Sequence, residues 1–279
     1  RSADDRGISN LHLIPRSTDL IVRDDVQASC DDVLSRERLL VLVGPHGCGK
    51  SAVAGQLALS SDAGTRWWID GHSDESLQLG AEALLAALDR SDGGSATEGL
   101  RRILVEHTDL LLIIDGIDDA RRLHPVLPAG MRARVIVTTT DPLASPPSSA
   151  VEVGPFTTSQ SVALFERLTA GPADEWSEDV ERLVDALSGL PLAIRQAAAY
   201  VRASGVSPAD LSDRLTHSSR RVLAEHAPSD YSRSLVTVHD LAREGAVWEE
   251  PAAAAVLALI AMSGPGGLTR QLLGVASSA

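Results

Sequence analysis

Apolar residues come first in short unbroken runs and later only at helical spacing. Leu39 to Val43, Leu110 to Ile114 and Arg134 to Thr138 are dense in Leu, Ile and Val, the pattern of strands buried on both faces of a parallel sheet. Arg66 to Asp70, with its tryptophan pair, and the short Val151 to Val153 complete the predicted strands. Between them the spacing predicts helices over Asp24 to Arg36, Ser51 to Leu59, Glu75 to Leu88 and Thr97 to His107, with a loop at Ser91-Asp92-Gly93-Gly94-Ser95. Strands alternating with helices predict an α/β fold with helices on both faces of the sheet.

From Thr157 onward the periodicity is helical throughout: Ser159 to Leu168, Ser177 to Leu187, Leu192 to Ala203, Pro208 to His217, Ser232 to Arg243 and Ala252 to Ser263. The change falls near Gly154-Pro155, so a helical second part is expected. Residues 1–19 are polar and turn-rich and read as a lead-in segment. No internal repeat is visible.

Composition narrows the class. The chain has 279 residues, 44% of them hydrophobic and 23% charged, which suits a globular protein. A formal net charge of -13 argues against a nucleic-acid partner for this region. Cys30 and Cys48 make no disulfide framework and suit a reducing compartment. The run from Ala252 to Met262 is too short for a membrane span, and no signal-peptide pattern opens the chain, so a cytoplasmic location is expected.

The first predicted strand runs into Gly44-Pro45-His46-Gly47-Cys48-Gly49-Lys50-Ser51, with Ala52 in the helix behind it. This is the G-x-x-x-x-G-K-[ST] pattern between a strand and a helix. Bare backbone N–H groups and a helix N-terminus would cradle phosphates; Lys50 would reach the β- and γ-phosphates, and Ser51 would offer its hydroxyl to Mg²⁺. Leu110 to Ile114 ends in Asp115, an acid at the sheet edge where ligands bind, and thus a candidate Mg²⁺ carboxylate. Asp118 and Asp119 follow; either could orient or activate a water, or cap a helix near Ala120 to Leu123. Thr138-Thr139-Thr140 ends another strand, as a γ-phosphate sensor or as a β-rich strand end before a Pro-initiated turn. Cys48 and His46 read most simply as loop residues.

With Gly189-Leu190-Pro191-Leu192-Ala193 added, the ordered set resembles the NB-ARC proteins. These are STAND-class signalling NTPases, here of the bacterial kind linked to tetratricopeptide repeats. Trp67-Trp68-Ile69-Asp70, Tyr231-Ser232-Arg233-Ser234 and Glu250-Pro251 fit the same resemblance, which runs from about Leu20 onward. It implies an ASCE P-loop domain over 20–155 with sheet order 5-1-4-3-2, a helical subdomain over 156–249 and the truncated start of a winged-helix region over 250–279. It also implies an ADP/ATP switch that is Mg²⁺-dependent, hydrolyses slowly, and controls an effector through exchange and homo-oligomerisation. A C-terminal repeat or sensor domain and an effector domain are implied for the full-length protein. Pro191 would lie against the adenine, Arg23 would help enclose it, and Thr139 would stand at the nucleotide.

The sequence departs from the family at three places. Thr140 stands where arginine usually senses the γ-phosphate, and Gly116 stands where a second acid often follows the metal-binding one. Val238-His239-Asp240 resembles the family's ADP clamp but follows Gly189 too soon and reads better as a helical His-Asp pair. Two rival readings stay open: an AAA+-like motor, with Arg101, Arg102, Arg121 or Arg122 as candidate fingers in trans, and a non-hydrolysing interaction module with structural ADP.

Overall fold

Runs of β-branched and leucine residues with no polar alternation can be buried only if both faces of the sheet are covered. The computed structural model, which describes residues 8–10, 20–90, 94–142, 146–169 and 177–222, shows how. The elements are α1 Asp24–Arg36, β1 Leu39–Val43, α2 Lys50–Ser60, β2 Thr65–Asp70, α3 Asp74–Ala87, α4 Ala96–Glu106, β3 Leu110–Ile117, β4 Arg134–Thr139, β5 Ala150–Glu152, α5 Thr158–Thr169, α6 Ser177–Ala186, α7 Pro191–Ser204 and α8 Pro208–Val222. The strands form one five-stranded sheet in the order β2-β3-β4-β1-β5, and every adjacent pair is parallel. Read from the other edge, this is the expected 5-1-4-3-2.

Strand alternation sorts the core into two layers. Val41, Ile69, Leu112, Ile114, Val135 and Val137 pack with Leu77 and Leu84 of α3 and Leu100 and Leu104 of α4. Their neighbours Leu40, Leu42, Ile113 and Ile136 are fully buried on the opposite face, against which α1 and α2 lie. Odd and even positions of one strand therefore serve different layers.

Two local differences from the sequence reading bear on the site. β3 continues past the apolar run through Asp115 and Gly116 to Ile117, where it pairs with Thr139 after an irregularity in register. Gly116 takes φ +84, open to a residue without a Cβ, and Ile117 is fully buried, which draws the strand onward. The helix expected near Ala120 to Leu123 is a single 3-10 turn, Ala120–Arg122.

The lead-in segment also takes part in the sheet. Ser9 makes a parallel bridge to Arg66 of β2, and the Arg66 N–H donates to the Ile8 carbonyl at 3.0 Å. The Asn10 side chain accepts from the Trp68 N–H at 2.6 Å and donates to the Trp68 carbonyl at 2.8 Å.

α3 opens on a capping box: Ser73 Oγ accepts from the Ser76 N–H at 3.0 Å, and Ser76 Oγ accepts from the Ser73 N–H at 3.1 Å. Ser73→Ala should cost about 1 kcal/mol. Urea denaturation should show this as a lower midpoint at unchanged slope.

The described residues divide into two compact units. One holds those up to Leu164 together with Leu190–Leu192; the other holds those from Phe165 to Gly189 and from Ala193 onward. The second unit is helical, with α6 on α8 and Leu183, Leu187, Ala197 and Leu211 fully buried. No helix among the described residues is long and apolar enough to cross a membrane. The predicted helices Ser232 to Arg243 and Ala252 to Ser263, Tyr231-Ser232-Arg233-Ser234, Val238-His239-Asp240, Glu250-Pro251 and the 250–279 region lie outside the described residues.

Candidate functional site

The chain leaves β1 at Val43 and enters α2 at Lys50, and the glycine-rich loop spans the gap at the C-terminal edge of the sheet. Gly44 lies hard against the exit of β5: a Cβ on it would stand 2.2 Å from the Val153 carbonyl oxygen. Gly49, the N-cap of α2, has φ +99, and a Cβ there would meet no atom within 4 Å. The loop is thus packed on one side and open at the helix start, the place where an anion meets a helix N-terminus.

Lys50 bends back over the loop and donates from Nζ to the Gly44 carbonyl at 2.8 Å and to the Pro45 carbonyl at 2.9 Å. Burial pulls its ammonium below the ordinary lysine value, while Cys48 and Asp115 act the other way. A cation partly stripped of water gains much from an opposed anion. Cys48 is fully buried; burial pushes its thiol up, with Lys50 and then Arg23 pulling against it. It is therefore a packed thiol and not a reactive one. His46 and Pro45 are exposed on the loop, and Ala52 is half-buried in the first turn of α2.

Asp115 lies on the α2 side of β3, the parity of Leu111 and Ile113. Its Oδ1 accepts from Ser51 Oγ at 2.7 Å, across a separation of 64 residues. The same oxygen accepts from Thr138 Oγ1 at 2.5 Å, and Thr138 in turn accepts from the Gly116 N–H at 2.8 Å. A hydroxyl and a carboxylate, both hard oxygens, held together beside a phosphate-type loop suit Mg²⁺. Among the described residues there is no cluster of three or more His, Cys, Asp or Glu that could hold a metal alone.

The structure separates the three threonines. Thr138 shares the parity of Ile136, pairs with Leu42 of β1 and reaches Asp115. Thr139 faces the other way; its hydroxyl accepts from the Asp141 N–H at 2.9 Å, and its carbonyl accepts from the Gly44 N–H at 3.3 Å. The three threonines read alike in the sequence, and only the α2-facing parity of β4 joins Thr138 to Asp115.

The carboxylates after Asp115 diverge. Asp119 is gripped by Arg121, with Nη2 to Oδ2 at 2.6 Å, and this bond first, then the Arg121 N–H, draws its carboxyl to about 2. It serves the turn at Ala120–Arg122. Asp118 is exposed at the end of β3. Of the paired arginines, Arg101 donates to the carbonyls of His124 and Pro125, and Arg122 donates to Asp74 and to the Gly71 carbonyl.

Arg23 is almost fully buried. It donates to the Gly154 carbonyl at 2.8 Å and the Pro155 carbonyl at 3.4 Å, and its guanidinium lies 5.4 Å from the Phe156 ring centre. It straps the start of α1 to the exit of β5, and its Nε, also buried, has no hydrogen-bond partner. Pro191 stands at the first position of α7, where its missing N–H costs nothing. Its neighbour Leu192 donates its N–H to the Gly47 carbonyl at 3.2 Å, so the Leu190–Leu192 stretch is seated on the loop.

No family model matches the chain. No curated protein matches it either. Among solved structures it is similar to a Walker-type ATPase of Pyrococcus abyssi, at 14% identity over 75% of this chain and 75% of that one, with a TM-score of 0.50. It is also similar to a STAND protein with a tetratricopeptide-repeat sensor from Pyrococcus horikoshii, at 16% identity over 66% of this chain and 30% of that one, with a TM-score of 0.46. Domain III of the replication initiation protein DnaA from Thermotoga maritima matches at 13% identity over 72% of this chain and 94% of that one, with a TM-score of 0.44. With the strand order and the loop between β1 and α2, the first of these likenesses gives the chain the α/β fold of the P-loop ATPases.

Proposed function

We propose that this chain binds ATP and ADP with Mg²⁺ and works as a signalling switch of the STAND class with slow ATP hydrolysis. The observation that carries the nucleotide reading is the bond between Ser51 Oγ and Asp115 Oδ1 beside a lysine-bearing glycine loop. In that reading Gly44 to Ala52 wrap the phosphates, and Lys50 swings from its carbonyls to the β- and γ-phosphates. Ser51 and Asp115 hold Mg²⁺, and Thr138 fixes the Asp115 carboxylate in place. When bound, Mg²⁺ would offset phosphate charge. The switch reading rests on the NB-ARC resemblance and draws support from the Leu192 N–H on the Gly47 carbonyl, within the Leu190–Leu192 stretch. Pro191 would then lie near the base, with Arg23 and its unpaired Nε at the enclosed side.

Slow turnover follows from residues that are missing. Thr140 and Gly116 supply neither a charge-stabilising arginine nor a second acid. Exchange alone can still move a two-state equilibrium. We assign the nucleotide domain to 20–155, the helical subdomain to 156–249 and the start of a winged-helix region to 250–279. A sensor or repeat domain, an effector and homo-oligomerisation in the ATP state belong to the same proposal.

The first test is to denature freshly purified protein and identify the released nucleotide by chromatography. Near-stoichiometric ADP is expected; a chain that releases no nucleotide and does not bind ATP with Mg²⁺ refutes the reading. A second test addresses the metal. Asp115→Asn should weaken ATP affinity about tenfold with Mg²⁺ and far less with EDTA, because only the metal-bridged part of the binding is lost. Equal losses in titration calorimetry under both conditions would remove Asp115 from the metal.

A further inference from the structure

We propose that His72 receives the proton of the attacking water when this site hydrolyses ATP, with Asp70 as the residue that positions its ring. The proposal rests on the nucleotide reading above. Its starting point is the residue directly after Asp115. Gly116 has φ +84, and a Cβ built on it would lie 2.2 Å from His72 Cε1, 2.4 Å from Nε2 and 2.6 Å from Nδ1. The imidazole thus fills the space a side chain at position 116 would take, one residue from the proposed metal carboxylate.

The ring is held there by its own loop. The His72 N–H donates to Asp70 Oδ1 at 2.9 Å, and ring Nδ1 lies 2.7 Å from the same oxygen. In the neutral tautomer that carries its hydrogen on Nδ1, the one that can donate to that carboxylate, the ring has a lone pair on Nε2. The Gly71 N–H donates to the Asp115 carbonyl at 2.6 Å, and Arg122 Nη1 donates to the Gly71 carbonyl at 2.8 Å. These bonds fix the loop between β2 and α3 to the strand end that carries Asp115. Of the two carboxylates that follow on β3's exit, Asp119 is occupied by Arg121 and Asp118 is exposed.

In the step itself, the water oxygen attacks the γ-phosphorus. The bond from that phosphorus to the bridging oxygen breaks, and its electron pair leaves with ADP. The water proton passes to Nε2 and from there to solvent, open because the His72 side chain is 65% exposed. Asp70 steadies the imidazolium in the interval, and the products are ADP and inorganic phosphate.

The experiment measures ATP affinity with a fluorescent ATP analogue and hydrolysis by single-turnover phosphate release, both with Mg²⁺. His72→Ala should lower the hydrolysis rate about tenfold or more, with affinity within about twofold and an unchanged melting temperature. Asp70→Ala should lower the rate by less, again at constant affinity. A His72→Ala protein that hydrolyses at the wild-type rate overturns the proposal. So does a wild-type chain that binds ATP and never hydrolyses it. Failure of the nucleotide reading looks different: the wild-type chain does not bind ATP, and the proposal falls with it.

Discussion

Lys50→Ala will bind ATP about 100-fold more weakly than the wild type. Lys50 Nζ lies on two carbonyls of its own loop, within reach of whatever the loop encloses. Each hydrogen bond to a charged partner contributes about 1.5–3 kcal/mol, so losing two of them to phosphate oxygens passes about 2.7 kcal/mol, two decades in affinity. The fold should survive, because both present partners are backbone groups at the rim of the site. Calorimetric titration with Mg²⁺-ATP, beside a melting curve, separates the two effects. Affinity within tenfold of wild type in a well-folded variant would remove Lys50 from the phosphates.

The second large effect is on stability. Gly44→Ala should cost about 3 kcal/mol, the upper end of what overpacking costs, because the obstacle is the backbone carbonyl of Val153 at 2.2 Å and not a side chain that can turn away. β5 would have to move off β1, where the Val153 N–H donates to the Val43 carbonyl at 2.7 Å. Gly154→Ala is the matched control: its Cβ would meet nothing within 4 Å, so it should stay within about 0.5 kcal/mol. Urea midpoints for the pair give the difference directly, and equal midpoints would mean that the loop and β5 separate readily.

The centre of the sheet could be read from sequence because β1, β3 and β4 each carry a run of apolar residues too short for a helix and too apolar for a turn. The loop could be read because Gly44 and Gly49 sit at fixed offsets from Lys50 and Ser51. The link from Ser51 to Asp115 also came from the sequence, since a strand ending in an acid belongs at the same edge as the loop. What stayed hidden depends on register. Whether Thr138 or Thr139 faces Asp115 turns on strand parity, and three adjacent threonines carry no mark of it. β3's extension depends on a glycine conformation that no neighbouring residue announces. The contacts of His72 with Gly116 and of Asn10 with Trp68 join distant segments through side chains, so no local pattern encodes them.

The contacts at β2 give the sheet a defined end. An edge strand exposes N–H and C=O groups that can template another strand. Here the outward N–H of Arg66 is taken by a peptide carbonyl, but the next pair, on Trp68, is taken by the Asn10 carboxamide. A side-chain amide has the donor and acceptor of a peptide group and no chain running on from it. The ladder is therefore terminated much as a chain-stopping monomer ends a polymer, and the tryptophan-bearing edge is closed to further strands at that rung.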